Sequence, residues 1–372
     1  MSKELIQALA FSAPAVCALV CLAMMLLDYF TEKKKEEKQL RLFLFFTFAV
    51  IVLSWLGMIF KVAFHRTFAC YFSVYLLTMM FNQILIYRFV YIITATEHDS
   101  RFSRLHFVTP VLMMAVSIVT DLIVSLQQKE AIIYGDGKSD SESSRLFSML
   151  YLLTGIVFFI YYTLYPVLGY LRICRYRRSI GNYSADMQRN SLNWLVLMQI
   201  LTLIIIPVPF AGLLLNATVF SDLFFSIQGA VLAFFVYPIL CYNLLTYNYV
   251  IITSADNDLP RYQIAEIDPK HFSHYMREKK PYLNPNLRIT HIAADLCTNR
   301  NYVSMFINHV YGMNFNRFIN RYRLKELNRL RNSPDHQENT NMELMLMAGF
   351  SSYRSYLRTK KEEDKAKVLK AF

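Results

Sequence analysis

The side chains best suited to chemistry lie near the C-terminal end of the chain. A helix drawn through Arg300–Val310 carries Val303, Phe306, Ile307 and Val310 on one side, at i, i+3, i+4 and i+7. The other side is left with Arg300, Asn301, Ser304, Met305, Asn308 and His309. Amides and hydroxyls can bond base edges, and Arg and His suit phosphate, so the stripe has the chemistry of a nucleic-acid reader. Other constellations are poorer. His271 and His274 stand at i, i+3 beside Asp268, but two histidines without further ligands read as surface residues, not a metal centre. Cys17, Cys21, Cys70, Cys174, Cys241 and Cys297 form no CxxC, so neither a zinc module nor a disulfide framework is expected. There is no HExxH, GxSxG, GxGxxG or Walker-type run. No paired carboxylates lie within the apolar blocks, so no catalytic residue, cofactor or metal is expected.

The elements around the stripe fit that reading. Ile289, Ile292, Ala293 and Leu296 predict a preceding short helix, with Thr298 placed to cap the second and Gly312 to end it. Two short helices joined by about three residues make a helix-turn-helix arrangement. A long helix follows over Asn314–Arg331, with Phe315, Phe318, Ile319, Tyr322, Leu327 and Leu330 facing inward. After the polar break Asn332–Asn341 a second pair is expected. Leu344, Met347 and Ala348 form its first stripe, Gly349–Ser352 the turn, and Tyr353, Tyr356 and Leu357 begin the next stripe. Residues 261–372 hold 20 Lys/Arg against 11 Asp/Glu, which points to an anionic partner, nucleic acid or a lipid surface.

The rest of the chain is of another kind. Of 372 residues 55% are hydrophobic and 18% charged, which excludes disorder for most of it. The apolar residues gather in seven blocks: Leu5–Phe30, Leu42–Phe64, Phe68–Ile93, Phe107–Leu126, Met149–Leu171, Leu192–Leu215 and Leu223–Leu245. Each is long enough for the roughly 20 residues a helix needs to cross a bilayer. Twelve Lys/Arg occupy the first, third and fifth connections (Lys33, Lys34, Lys35, Lys38, Arg41; Arg101, Arg104; Arg172, Arg175, Arg177, Arg178, Arg189). Five lie on the other side: Lys3, Arg66, Lys129, Lys138 and Arg145. The positive-inside rule then puts the N-terminus outside and everything after residue 250 in the cytoplasm. The basic flank of the first block follows its apolar run, so that block reads as a span and not a cleavable signal. Asn82, Gln83, Gln199 and Gln228 fall mid-span. They serve either a ligand pocket or hydrogen bonds between helices, with Arg88 snorkelling to the interface. Pro207 and Pro209 predict a kink in the sixth span.

Ile292-Ala293, Thr298–Ser304, Gly312-Met313-Asn314-Phe315, Phe318-Ile319-Asn320, Arg323-Leu324 and Ala348–Ser352 together resemble the AraC/XylS-type DNA-binding domain over about residues 265–361. The resemblance implies two recognition helices, Asn299–Tyr311 and Ser352–Lys361, entering neighbouring major-groove segments of double-stranded DNA. Carried over by position, Asn301, Ser304 and Met305 face bases in the first helix, and Tyr353, Arg354 and Arg358 in the second. Apart from that carry-over, Arg300 and Arg317 are phosphate candidates, and Asn308 is a DNA-binding candidate by its place on the polar side of the first helix. The chain departs from the family pattern at Cys297, where Gly is frequent, and at Met305, where Arg is frequent. Lys360 replaces an aromatic core residue, and the closing Gly-x-x-Pro is missing, so the first pair is expected to be better packed than the second.

The expected architecture is therefore all-α: a seven-helix transmembrane bundle (1–250), a polar linker (251–264) and a cytoplasmic domain with two helix-turn-helix units (265–372). As a whole it resembles the transmembrane AraC-type regulators of bacteria, which implies the inner membrane, an envelope or small-molecule signal, and a homodimer on two half-sites. Asn82, Gln83 and Gln228 are the expected ligand contacts. The alternative is a seven-helix receptor whose basic helical tail binds a protein partner or anionic lipid.

Overall fold

The computed structural model describes residues 3–95, 99, 101–135, 142–186, 191–205, 227–249 and 267–370. Pro207, Pro209, the loop around Asn216–Asp222 and the linker 251–264 lie outside them. The regular structure of the described residues is helical, joined by turns and short connections, with one isolated antiparallel bridge between Ser184 and Arg288. They form two compact units: Met1–Thr94, Asp99–Ile173 and Asn193–Asn248 make the first, and Ala95–His98, Cys174–Leu192 and Tyr249–Phe372 the second.

The first unit contains α1 (Lys3–Thr31), α2 (Lys35–Ala63), α3 (His65–Ile93), α4 (Val108–Ile123), the short α5 (Leu126–Tyr134), most of α6 (Glu142–Ile180), α7 (Asn193–Ile205) and α8 (Ile227–Leu245). Among the described residues six of these are long and apolar enough to cross a membrane: α1, α2, α3, α4 with its leading turn, α6 and α8. The sixth expected span, Leu192–Leu215, is matched in part by α7, a shorter apolar helix of 13 residues, and positions 206–215 of that block lie outside the described residues. A 29-residue helix such as α2 is about 44 Å long, more than a hydrocarbon core of roughly 30 Å. Large apolar side chains remain exposed along α4, with Val111, Leu112, Val116, Val119 and Ile123 uncovered and Leu122 83% exposed. A face of that size suits lipid and not water. α5 has no counterpart among the expected elements; Ser125 and Gln128 start it with a capping box.

Charged pins hold the helix ends. Arg41, wholly buried, pairs with Asp28 of α1 and donates to the Leu244 carbonyl of α8 at 2.9 Å. Arg172 on α6 bonds Asp99 at 2.8 Å and the Thr94 hydroxyl at 2.9 Å, with its guanidinium 3.6 Å from the Tyr91 ring centre. Lys129 of α5 pairs with Asp121 of α4, which accepts from Ser73 at 2.6 Å. Arg88 lies over the rings of Phe43 and Phe102.

The second unit gathers α9 (Pro269–Glu278), α10 (Ile289–Asp295), α11 (Arg300–Tyr311), α12 (Phe315–Arg331), α13 (Asn341–Met347) and α14 (Tyr353–Lys370). With them belongs Cys174–Leu192, which the sequence reads as the basic fifth connection, up to the first residue of the sixth span. The caps are local and legible: Asp268, Asn299 and Asn314 accept backbone N–H bonds at the starts of α9, α11 and α12, and Thr340 and Glu343 form a capping box on α13. The cap of α11 is Asn299, one residue after the expected Thr298, because its side chain reaches the Tyr302 N–H at 3.1 Å.

Candidate nucleic-acid interface

α12 is the spine of the second unit. Phe315, Phe318, Ile319, Leu327 and Leu330 are buried along it as expected, with Tyr322 half-buried. α9 and α11 close on its first half through rings: Phe272 meets Phe306 at 4.9 Å and Phe318 at 5.7 Å, and Tyr311 meets Phe318 at 4.7 Å. The second half carries another cluster, Leu327, Leu330, Leu344, Met345, Ala348, Phe350 and Tyr356. Met345 takes the core place expected of Met347, and Leu357 and Tyr353 point outward, because α14 buries Ser355, Tyr356 and Thr359 instead.

Arg323 joins the halves. It is 1% exposed and donates from Nε to the Tyr282 carbonyl at 2.8 Å and from Nη2 to the Asn284 carbonyl at 2.8 Å. Its planar fork satisfies backbone acceptors that no apolar side chain could. Burial pulls its guanidinium down to about 10, and the charge of Asp186 opposes that fall. Glu326 is held below the ordinary carboxylate range chiefly by the bond from Arg329 at 2.8 Å, with Lys280 adding to the effect and burial opposing it.

The outer face of α11 brings together four of the sequence candidates. Asn301, Ser304, Met305 and Asn308 recur at i, i+3, i+4 and i+7 opposite the buried Val303 and Ile307. Asn301, Asn308 and Met305 are exposed and Ser304 half-exposed. Val310, expected in the apolar stripe, is exposed as well. Arg300 departs from its assigned place: it is half-buried with its guanidinium 5.5 Å from the Tyr183 ring centre, and burial lowers its pKa. Arg317 is 43% exposed at its side chain and bonds Glu363 of α14 at 3.3 Å. On α14, Tyr353, Arg354 and Arg358 are exposed, and Arg358 pairs with Glu362 at 2.9 Å. The helix runs on to Lys370, past the expected end at Lys361.

In the first unit the three expected ligand contacts line one cavity. Asn82, Gln83 and Gln228 meet there, with Gln199, Thr202, Trp55, Tyr162, Tyr237 and Met198 in the same wall. The open space at its centre is about 30 Å³, the share of roughly one water molecule. Oδ1 of Asn82 and Oε1 of Gln228 are buried there without a hydrogen-bond partner among the described residues. The aromatic wall has no signature in the sequence, since Tyr recurs through the third, fifth and seventh blocks and only helix packing selects which rings meet.

Comparison of the chain with protein-family models, curated proteins and solved structures gives no match.

Proposed function

We propose that this chain is a membrane-tethered one-component transcription regulator. The apolar helices of the first unit sit in the bacterial inner membrane and receive a signal. The second unit, an AraC-type domain with two helix-turn-helix pairs, binds double-stranded DNA in the cytoplasm, as a homodimer where the operator has two half-sites. The observation that carries the reading is the outward stripe Asn301, Ser304, Met305 and Asn308 on the second helix of a packed pair. An anionic lipid surface would need only basic charge, whereas this face offers uncharged amide and hydroxyl groups that can bond base edges. The second pair supports it by presenting Tyr353, Arg354 and Arg358 from the equivalent helix.

The cavity around Asn82, Gln83 and Gln228 is the proposed signal site. Two buried amide acceptors among aromatic and Met side chains, with no charged residue in the wall, suit a small uncharged donor of hydrogen bonds, which a space of about 30 Å³ admits only when the surrounding side chains move apart. The test is selection of duplexes from a random pool by the full chain in uncharged bilayer discs. Enrichment of one motif supports the reading; retention only by anionic vesicles, with no enriched motif, overturns it in favour of a lipid-binding tail.

A further inference from the structure

The connection between α6 and α7 does more than join two apolar helices. Within the second unit, Tyr183, Ser184, Ala185 and Asp186 are 4%, 2%, 0% and 3% exposed. Ser184 pairs with Arg288 in the antiparallel bridge, where Ala185 N–H donates to the Leu287 carbonyl at 3.1 Å and Ile289 N–H to the Tyr183 carbonyl at 3.0 Å. α12 holds the same stretch from another direction. The Asn316 backbone N–H bonds the Gly181 carbonyl at 3.0 Å, and its side-chain amide bonds the Ser184 and Ala185 carbonyls at 3.2 and 2.6 Å. Arg323 adds a bond to the Ala185 carbonyl at 3.4 Å, and Arg300, the first residue of α11, lies over Tyr183. Exposed loops between spans satisfy their backbone with water; this one is satisfied by backbone and side-chain groups of the C-terminal segment.

We propose that Gly181–Asp186 is a docking strap, by which the end of α6 grips α10, α11 and α12 and holds the first helix pair non-covalently. The second unit is then attached to the apolar helices twice, by the strap and, some 65 residues further along the chain, by the linker 251–264. A shift or rotation of α6 reaches the start of α10 through Arg288 and the start of α11 through Arg300, without passing through the linker. The strap requires that the first unit be embedded in a membrane but not that the second unit read DNA, so the two proposals fail separately.

The experiment uses the full chain in vesicles of uncharged lipid, with a protease site placed in the linker at 255–260. After cleavage in high salt, the fragment beyond residue 261 should still sediment with the vesicles. Ala185→Trp cannot seat a large ring where the strap is fully buried, and should release the fragment on the order of tenfold more, the scale of one or two lost buried hydrogen bonds. Asn316→Leu should do the same from the other side. Independently of folding in those variants, Ser184→Cys with Arg288→Cys in a background lacking the native cysteines should crosslink on oxidation. Residues facing each other as this pair does lie about 4.5 Å apart at Cα, within disulfide reach. Loss of the fragment from the unaltered strap, equal retention by Ala185→Trp, or absence of the crosslink would each overturn the proposal.

Discussion

At the scale of single residues, three left-handed backbone positions make opposite predictions. Cys297 has φ 52°, and it stands where the resembling family often has Gly. A side chain there strains the backbone, so Cys297→Gly is expected to raise stability by about 0.5–1 kcal/mol in chemical unfolding of the full chain. Gly349 has φ 92° and an added Cβ would meet the Tyr282 carbonyl oxygen at 2.3 Å. Gly349→Ala should therefore cost roughly 2–4 kcal/mol, combining backbone strain with overpacking. Gly312, at φ 64° with open space around it, should cost only about 1 kcal/mol on the same change. A Gly349→Ala chain as stable as the Gly312→Ala chain would contradict the packing of the turn on Pro281–Leu283. Glu326 predicts a pH dependence. Its folded pKa is depressed, so its contribution is complete above the unfolded value and is lost as pH falls through the lower folded one. Unfolding followed from neutral pH to below about 4 should show that loss, and Glu326→Gln should flatten it.

Among the elements, legibility followed the period of the sequence. α12 was readable because Phe315, Phe318, Ile319, Leu327 and Leu330 keep the helical spacing over 17 residues. The seven-residue α13 carries too few turns to fix its inward face, so Met345 and Met347 could not be told apart. The long apolar blocks announced α1, α2, α3, α4, α6 and α8, although α2 begins seven residues before its block and α6 runs seven and nine residues beyond the two ends of its block. The strap was illegible: Gly181–Asp186 has no periodicity, and its partners Asn316 and Arg323 lie over 130 residues away in polar-looking places. Lys360 stands where the apolar stripe of the second pair should continue, and it borders an open cleft of about 290 Å³ with Leu324, Leu327 and Tyr356 in its wall. Filling part of that cleft by Lys360→Phe should raise the stability of the second unit by about 1 kcal/mol. A loss of stability would show that the lysine stem already packs there. Because the first pair is fixed by both ring packing and the strap, Asn301→Ala should cost more sequence specificity than Arg354→Ala, read on operator against scrambled duplex. The reverse order would make α14 the principal reader.

For the whole molecule, the account joins a signal cavity in apolar helices to a polar helix face in a basic unit. If the cavity receives the signal, Asn82→Leu, Gln83→Leu and Gln228→Leu together should abolish the response while membrane level is unchanged. Survival of the response would leave these amides as bonds between helices. The basic connections predict the orientation by the positive-inside rule: a reporter fused after Tyr249 should lie in the cytoplasm and a tag at Ser2 outside, and the reverse placement would overturn both this orientation and the proposed function. The central claim is sequence-specific DNA binding by the membrane-held chain, and one titration tests it most directly. The full chain in uncharged discs is titrated with its selected operator and with a scrambled duplex, at two salt concentrations, beside Asn301→Ala and Arg317→Ala. The account predicts that Asn301→Ala weakens the operator by roughly 1–3 kcal/mol and the scrambled duplex little, while Arg317→Ala weakens both and lowers the salt slope by about one. Equal affinity of the unaltered chain for operator and scrambled duplex would contradict it.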